Sequence, residues 1–286
     1  MQTRQAYGSL YGIPGGKLPY ILYLRGKIVF IDIHCHLSSP LLVKDIDMII
    51  RRAEDCGVEK MLSVGEDYED NLRLLEIASK YPMILPGLGH HPDNPDISQA
   101  EKTIRLVEEN HASLACIGEI GLDFFKIRDH GERDIQSGIF REFIALGIKY
   151  MLPLNIHSRS AGDQTIELLG GYEIKSGVNL HAFSGKGGKA SIAAVKMGYF
   201  FSIPGSIFYS SQKQKLARLI PDERILLETD SPVMSPYQGQ INYPHNLPLI
   251  LERLAEIRKT EKSRLEDIIY NNSHEYLGKE KKSENS

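Results

Sequence analysis

Cysteine is scarce in this chain, and the few that occur are not spaced as pairs. Cys35, Cys56 and Cys116 are the three cysteines among 286 residues, and no CxxC motif links any two of them. An odd number without framework spacing is not typical of a disulfide-stabilised secreted protein. We therefore expect reduced thiols and a cytoplasmic location.

Long apolar runs and a surplus of positive charge are also lacking. No apolar run reaches the roughly 20 residues that cross a bilayer, so no membrane contact is expected. The formal net charge of −3 argues against a broad basic surface that grips duplex DNA through its phosphates. A duplex-binding regulator is further disfavoured because no DNA-recognition motif is present. A compact metal site could still bind a phosphate, since the ion supplies the positive charge.

The composition that is present divides the chain into three parts. Hydrophobic residues make up 42% and charged residues 25%, which is typical of a globular protein with a sizeable core. Residues 1–27 contain five glycines, four tyrosines and no acid, and we expect a loosely ordered extension. A basic, aromatic arm that touches nucleic acid is the alternative for this segment. Residues 28–278 form the predicted domain, and residues 279–286 form a charged, solvated tail.

An apolar strand followed by an amphipathic helix recurs along the domain. Such alternation predicts a parallel sheet with right-handed crossovers, and eight units in about 250 residues predict an α/β fold of the (β/α)8 TIM-barrel type. An open doubly wound sheet would usually carry a glycine-rich turn after the first strand, where this chain has HCHLSSP. Helices are expected at 97–110 and 211–219, among others. The predicted strands are residues 28–34, 58–64, 83–88, 114–119, 150–157, 178–181, 199–203 and 224–228.

Two histidines end the first predicted strand, within the sequence FIDIHCH at 30–36. Alternate residues of a strand face the same side, so Asp32, His34 and His36 share a face. Paired imidazoles at a strand end form half of a divalent-metal site, and same-face histidine pairs rarely serve packing. The remaining ligands must then come from the ends of other strands.

Ionisable residues do follow most of the other strands, and the active site of a barrel lies at the carboxyl ends of its strands. Taken singly, each has a structural explanation: a lone histidine often packs, and an acid often caps a helix or turn. Four histidines, one glutamate and one aspartate at strand ends are hard to explain by packing alone. The candidates are His34, His36, Glu119, His157, His181 and Asp230, with His91 and Arg159 nearby.

These segments resemble, in order, the motifs of TatD-type metal-dependent deoxyribonucleases, which are barrel hydrolases of the amidohydrolase superfamily. The resemblance implies two divalent metal ions, with Glu119 bridging them. His34 and His36 would hold one ion together with Asp230, and two further histidines, at 157 and 181, would hold the other. The matching segments are FIDIHCH at 30–36, GEIGLD at 118–123, HSR at 157–159, HAFSG at 181–185 and LETDSP at 227–232.

The resemblance also implies an activity, namely hydrolysis of DNA phosphodiester bonds, from the 3′ end of single strands. Asp230 would be the general base and Glu119 the second catalytic carboxylate. Arg159 is a candidate phosphate contact, although an ion pair with Asp163 explains it equally well, and His91 is a second candidate. Histidine and carboxylate ligands suit Zn²⁺, Mn²⁺, Ni²⁺ or Fe²⁺ better than Mg²⁺, which prefers oxygen. We expect a monomer.

Two other functions stay open from the sequence. The same metal site could hydrolyse an amide, a lactone or an aminoacyl ester, because activated water also attacks a carbonyl carbon. A non-enzymatic metal-binding protein is the other alternative. It predicts no turnover of any ester and little effect of Asp230→Asn on its role.

Overall fold

The computed structural model describes residues 29–185 and 188–278. Our expectations for residues 1–27 and for the tail at 279–286 lie outside the described residues, and the division of the chain into three parts stays a prediction. Within the described ranges, no helix combines the length and the apolar character needed to cross a membrane.

Eight parallel strands form one sheet, in which spatial order follows sequence order. Each strand pairs in parallel with the next one along the chain. The strands are β1 (Phe30–Cys35), β2 (Val58–Val64), β3 (Ile84–Leu88), β4 (Cys116–Gly121), β5 (Leu154–His157), β6 (Val178–Leu180), β7 (Phe200–Ile203) and β8 (Ile225–Leu227).

Helices connect the strands and bury their apolar faces against the sheet. Several begin at an aspartate: Asp67, Asp96 and Asp129 each accept a hydrogen bond from the backbone amide three residues on, which satisfies a free helix N–H. The helices are α1 (Ile46–Asp55), α2 (Tyr68–Lys80), α3 (Ile97–Asn110), α4 (His130–Tyr150), α5 (Gly162–Leu169), α6 (Gly188–Lys196), α7 (Ser211–Leu219), α8 (Leu247–Arg258) and α9 (Lys262–Tyr276).

The barrel closes between β8 and β1, just beyond the regular part of β8. The amide of Asp230 donates to the carbonyl of His34 at 2.8 Å, and the amide of His36 donates to the carbonyl of Ser231 at 2.7 Å. The amide and the hydroxyl of Thr229 both donate to the carboxylate of Asp32, at 2.9 and 2.5 Å. We call residues 32–36 and 229–231 the closure seam. The prediction of a TIM barrel is confirmed.

The predicted start of the fifth strand is wrong. Residues 150–157 were expected to form it, but α4 continues to Tyr150 and β5 begins at Leu154. Gly147 lies within α4 and lets Leu154 pack against the helix backbone, since a Cβ there would lie 2.3 Å from a Leu154 methyl carbon. The helix ends at Tyr150, and Met151 follows it with a left-handed φ of 55°. The apolar residues at 151–153 lie between α4 and β5, and in sequence they look like a continuation of the strand.

Candidate metal centre

Six of the residues expected at the metal site meet at the carboxyl ends of the strands. The side chain of His157 is partly buried and the other five are buried. Because the strands are parallel and closed into a barrel, residues far apart in sequence converge on one small volume. The six residues are His34, His36, Glu119, His157, His181 and Asp230.

Glu119 lies at the centre, and its two oxygens face different histidines. Oε2 lies 3.6 Å from Nε2 of His34 and 3.5 Å from Nε2 of His36. Oε1 lies 2.6 Å from Nδ1 of His157 and 3.1 Å from Nε2 of His181. One carboxylate thus faces two sets of imidazole nitrogens from opposite oxygens, which is the arrangement that a ligand shared by two ions needs.

Asp230 faces His34 and His36 across the closure seam. Its Oδ1 lies 3.5 Å from Nε2 of His34 and 3.3 Å from Nε2 of His36, and these two nitrogens are 3.1 Å apart. The backbone of Asp230 is left-handed, with a φ of 55°, which is uncommon for a residue other than glycine. The hydrogen bond from the backbone amide of Asp230 to the carbonyl of His34 holds this conformation. The fold therefore maintains a disfavoured backbone at the position where it presents this carboxylate.

Three of the four histidines have, at Nδ1, a hydrogen-bond acceptor that lies outside the proposed ligand set. Such an acceptor keeps the proton on Nδ1 and leaves the lone pair of Nε2 directed into the centre, as in histidines that bind metals. The buried side chains that do this, one on β5 and one just after β8, were not assigned a role from sequence. The pairs are His34 with Oδ1 of Asn155 (2.8 Å), His36 with the carbonyl of Val64 (3.2 Å) and His181 with Oε2 of Glu228 (3.2 Å).

His157 is turned the other way. Its Nε2 lies 3.0 Å from Oδ2 of Asp123, so its Nδ1 faces Glu119. The other oxygen of Asp123 accepts the amides of Phe125 and Lys126, each at 2.9 Å. Asp123 thus fixes both the imidazole and the turn that follows β4. Its place at the end of the GEIGLD motif was the sequence signal for such a role.

The pKa values of His36, His157 and Glu119 indicate that the carboxylates of the centre favour positive charge beside them. Burial alone would lower the pKa of His36 and His157, but the nearby carboxylates outweigh it and raise each pKa to about 9. Burial alone would likewise raise the pKa of Glu119, yet the surrounding imidazoles, His181 foremost, hold that pKa well below its ordinary value. Two buried carboxylates among four imidazoles therefore form a donor set suited to divalent cations.

The possible ligand atoms form overlapping groups. Within each group, the atoms all lie within 4.8 Å of one another. Nitrogen and carboxylate oxygen together suit Zn²⁺, Mn²⁺, Ni²⁺ or Fe²⁺. Because Glu119 belongs to three of the groups, it is the residue that connects the centre. The groups are His34, His36 and Asp230; His34, Glu119 and His181; His91, Glu119 and His157; and His36, Glu66 and Glu119.

His91 and Arg159, the expected substrate contacts, lie at the rim. Nε2 of His91 is 3.9 Å from Oε1 of Glu119, while its Nδ1 is 2.7 Å from Asp93. Arg159 is exposed, and its guanidinium carbon lies 4.0 Å above the ring centre of Phe125. In the part of the chain that the structure describes, Arg159 makes no ion pair with the acid at position 163, so that alternative is not observed.

Glu66 is a rim residue that the sequence analysis did not single out. It follows β2, is exposed, and lies close enough to His36 and Glu119 to join a ligand group. Although the residue as a whole is exposed, the protein around its carboxyl group excludes enough water to raise the pKa of Glu66, against the effect of His36. An acid two residues beyond a predicted strand was the available signal, the same one that identified the ligands on other strands.

Comparison with known proteins agrees with this geometry and with the resemblance found in the sequence. The family described as "TatD related DNase" matches residues 31–278. Deoxyribonuclease TATDN3 of Homo sapiens is 36% identical over 240 residues, covering 80% of this chain and 87% of that protein. The uncharacterized metal-dependent hydrolase YabD of Bacillus subtilis is 30% identical over 236 residues, covering 80% and 91%. The crystal structure of YjjV, a TatD homolog from Escherichia coli, superimposes with a TM-score of 0.82 at 28% identity, covering 88% of this chain and 99% of that one. The chain belongs to the TatD-related DNase family.

Proposed function

We propose that this protein is a metal-dependent deoxyribonuclease that hydrolyses phosphodiester bonds of DNA. The observation that carries the proposal is the position of Glu119, whose two oxygens face two sets of histidine nitrogens in a buried centre. The names of its relatives supply the substrate class, since one is called a deoxyribonuclease and another a metal-dependent hydrolase.

In this proposal the centre holds two divalent ions. His34, His36 and Asp230 would hold one ion, the histidines at positions 157 and 181 would hold the other, and Glu119 would serve both. When bound, such ions supply Lewis acidity and positive charge, which activate water and neutralise a phosphate. The donor atoms favour Zn²⁺, Mn²⁺, Ni²⁺ or Fe²⁺ over Mg²⁺.

Asp230 is the general base of the proposed reaction. Although burial raises its pKa, hydrogen bonds with His34 and His36 hold it well below the ordinary value, so the carboxylate is ionised and can accept a proton. Oδ1 of Asp230 lies beside Nε2 of His34 and of His36. Oε2 of Glu119 faces the same two nitrogens. Water that attacks the phosphorus atom at this place would transfer its proton to Asp230.

Arg159 and His91 are the proposed phosphate contacts at the rim. The exposed guanidinium of Arg159 offers paired N–H donors, which match two oxygens of a phosphate. His91 reaches toward Glu119, with its Nε2 3.9 Å from Oε1. Attack from the 3′ end of single strands, a monomeric state and a cytoplasmic location complete the proposal. The free thiols of the three cysteines support the last point.

The test pairs metal analysis with nucleotide release from end-labelled single-stranded DNA. We expect close to two equivalents of divalent metal, and Asp230→Asn should lower the rate about 100- to 10,000-fold, the usual contribution of a general base. Asp163→Asn is the matched control, because it makes the same chemical change at an exposed residue and should leave the rate unchanged.

Other outcomes would contradict the proposal in different ways. Bound metal with intact DNA, but turnover of amides, lactones or aminoacyl esters, would move the function to carbonyl substrates. Bound metal without turnover of any ester would indicate a non-enzymatic metal-binding protein. Failure to bind metal after reloading would refute the interpretation of the centre itself.

A further inference from the structure

An exposed strip of one aromatic and three basic residues lies beside the metal centre. We call it the aromatic–basic strip. It comprises Phe125, Lys126 and Arg128 on the turn between β4 and α4, together with Arg159 after β5. The ring of Phe125 is 49% exposed, and the three cations are also exposed. A single exposed phenylalanine is ordinary on a protein surface. Phe125 differs from such a residue because it is connected to the metal centre by hydrogen bonds and stacks against the guanidinium of Arg159.

Hydrogen bonds connect the strip to the metal centre. Asp123 accepts the amide of Phe125 through one oxygen and faces Nε2 of His157 with the other. The amide of Phe124 donates to the carbonyl of Arg159 at 2.9 Å, which joins the turn to the loop after β5. The backbone of Phe125 is therefore anchored one carboxylate away from a proposed metal ligand.

The ring of Phe125 carries a guanidinium on one face and remains half exposed. The guanidinium carbon of Arg159 lies 4.0 Å above the ring centre, a cation–π contact that limits where the donors of Arg159 can point. Because the residue is 49% exposed, part of the ring is accessible to another flat group. Nucleobases stack on such rings with little dependence on sequence, and basic residues beside the ring contact the phosphates.

The strip is positive although the chain as a whole is negative. Its three cations contrast with the net charge of −3. Two acids near the strip have partners of their own: Asp123 is bonded to His157 and to two amides, and Asp93 to His91. The strip therefore retains the positive charge that attracts a phosphate backbone.

We propose that the aromatic–basic strip binds the nucleotide next to the phosphate that is cleaved. Phe125 stacks on the base of that nucleotide, and Arg159 contacts the phosphate of the same nucleotide. Lys126 and Arg128 contact the phosphates farther along the strand. This subsite rests on the proposed deoxyribonuclease function. A base must leave its duplex to reach the ring, so the strip selects single strands and frayed ends.

The test uses single-stranded oligonucleotides that each lack one base, replaced by an abasic tetrahydrofuran residue at successive positions. For the wild type, loss of the base that stacks on Phe125 should raise KM about 5- to 150-fold, the usual range for base–aromatic stacking, with little change in kcat. Phe125→Ala should show the raised KM on intact DNA and no further rise when that base is missing. Phe125→Tyr should behave as the wild type. Met197→Ala is the control, since it truncates an exposed apolar side chain just after α6, before β7.

Two outcomes would overturn this subsite. Equal abasic profiles for wild type and Phe125→Ala, with equal KM on intact DNA, would mean that the ring binds no base. A KM raised uniformly in Phe125→Ala, with the abasic discrimination retained, would mean that Phe125 acts only by positioning Arg159.

Equilibrium binding separates this subsite from the proposed function. The intact and abasic strands carry a fluorescein label, and their affinities for wild type and Phe125→Ala are measured by anisotropy. Absence of cleavage by the wild type refutes the deoxyribonuclease proposal. If, in that case, discrimination against the abasic strand is present in the wild type and lost in Phe125→Ala, the subsite is supported. Absence of discrimination in both proteins refutes it.

Discussion

Asn155 on β5 should control both the stability of the barrel and its affinity for metal. It is fully buried, its Oδ1 lies 2.8 Å from Nδ1 of His34, and its Nδ2 donates to the carbonyl of Ile33 at 2.9 Å. Asn155→Ala leaves both partners buried without these hydrogen bonds. The imidazole of His34 also loses the contact that directs its Nε2 toward Glu119 and Asp230.

The expected magnitudes follow from these two contacts. A buried polar group that loses its partner costs roughly 1–3 kcal/mol, so Asn155→Ala, which leaves two such groups, should lower the free energy of unfolding of the metal-free protein by about 2–6 kcal/mol. Loss of the partner that orients a ligand typically lowers metal affinity about 10- to 100-fold. Denaturant unfolding measures the first quantity, and titration in competition with a chelator measures the second.

Asn179 provides a matched control. It lies beside Asn155 on β6, is equally buried, and donates to the hydroxyl of Ser202 at 2.9 Å. Three hydrogen bonds, through Ser202 and Glu228, separate it from the nearest imidazole. Asn179→Ala removes one side-chain hydrogen bond rather than two, so it should lose less stability and little metal affinity. The same loss of affinity in both variants, or unchanged affinity in Asn155→Ala, would refute the role given to the Nδ1 partner.

Three further predictions concern the metal, the surface charge and a histidine outside the centre. Chelation should lower Tm, and a divalent ion at 100 times its Kd should restore about 2.7 kcal/mol of unfolding free energy, measured by calorimetry; an unchanged Tm would contradict a site formed only on folding. Lys126→Ala and Arg128→Ala should each reduce the slope of log KM against log salt by about 0.7, whereas Lys196→Ala, at the end of α6, should leave it unchanged. Burial, aided by the charge of Arg52, lowers the pKa of His245 from 6.5 to about 4. The neutral side chain thus stabilises the fold above about pH 6.5, and this contribution is lost as the pH falls toward 4. Between about pH 7 and pH 5, chelated wild type should lose about 1–2 kcal/mol more unfolding free energy than His245→Gln, and equal losses would refute the shift.

The barrel could be predicted because its sequence signals are local. Apolar runs of strand length alternate with helical patterns, so β2, α3 and α7 were predicted to the residue. The convergence of the ionisable residues also followed from a general rule, since parallel strands in a barrel end at the same face. Both the fold and the convergence of these residues can be predicted without knowing which side chains are in contact.

The partners of the histidines could not be predicted in the same way. The contact between Asn155 and His34 joins residues 121 positions apart, and it depends on the stagger of β5 relative to β1. Asn155 does share a face with His157, two residues on, but alternation alone cannot show what it touches. The stacking of Arg159 on Phe125 likewise depends on two loops that meet in space, so a local ion pair looked equally good in the sequence.

The closure seam also determines when the protein can act. The histidines of one proposed ion site come from the first strand and its aspartate from the last, about 200 residues later in synthesis. A chain still on the ribosome, or one truncated before β8, has no Asp230 to place against His34 and His36. The centre can therefore assemble only when the barrel has been completed. In a cell rich in nucleic acid, an incomplete chain is an inactive one, and the order of the strands alone provides this safeguard.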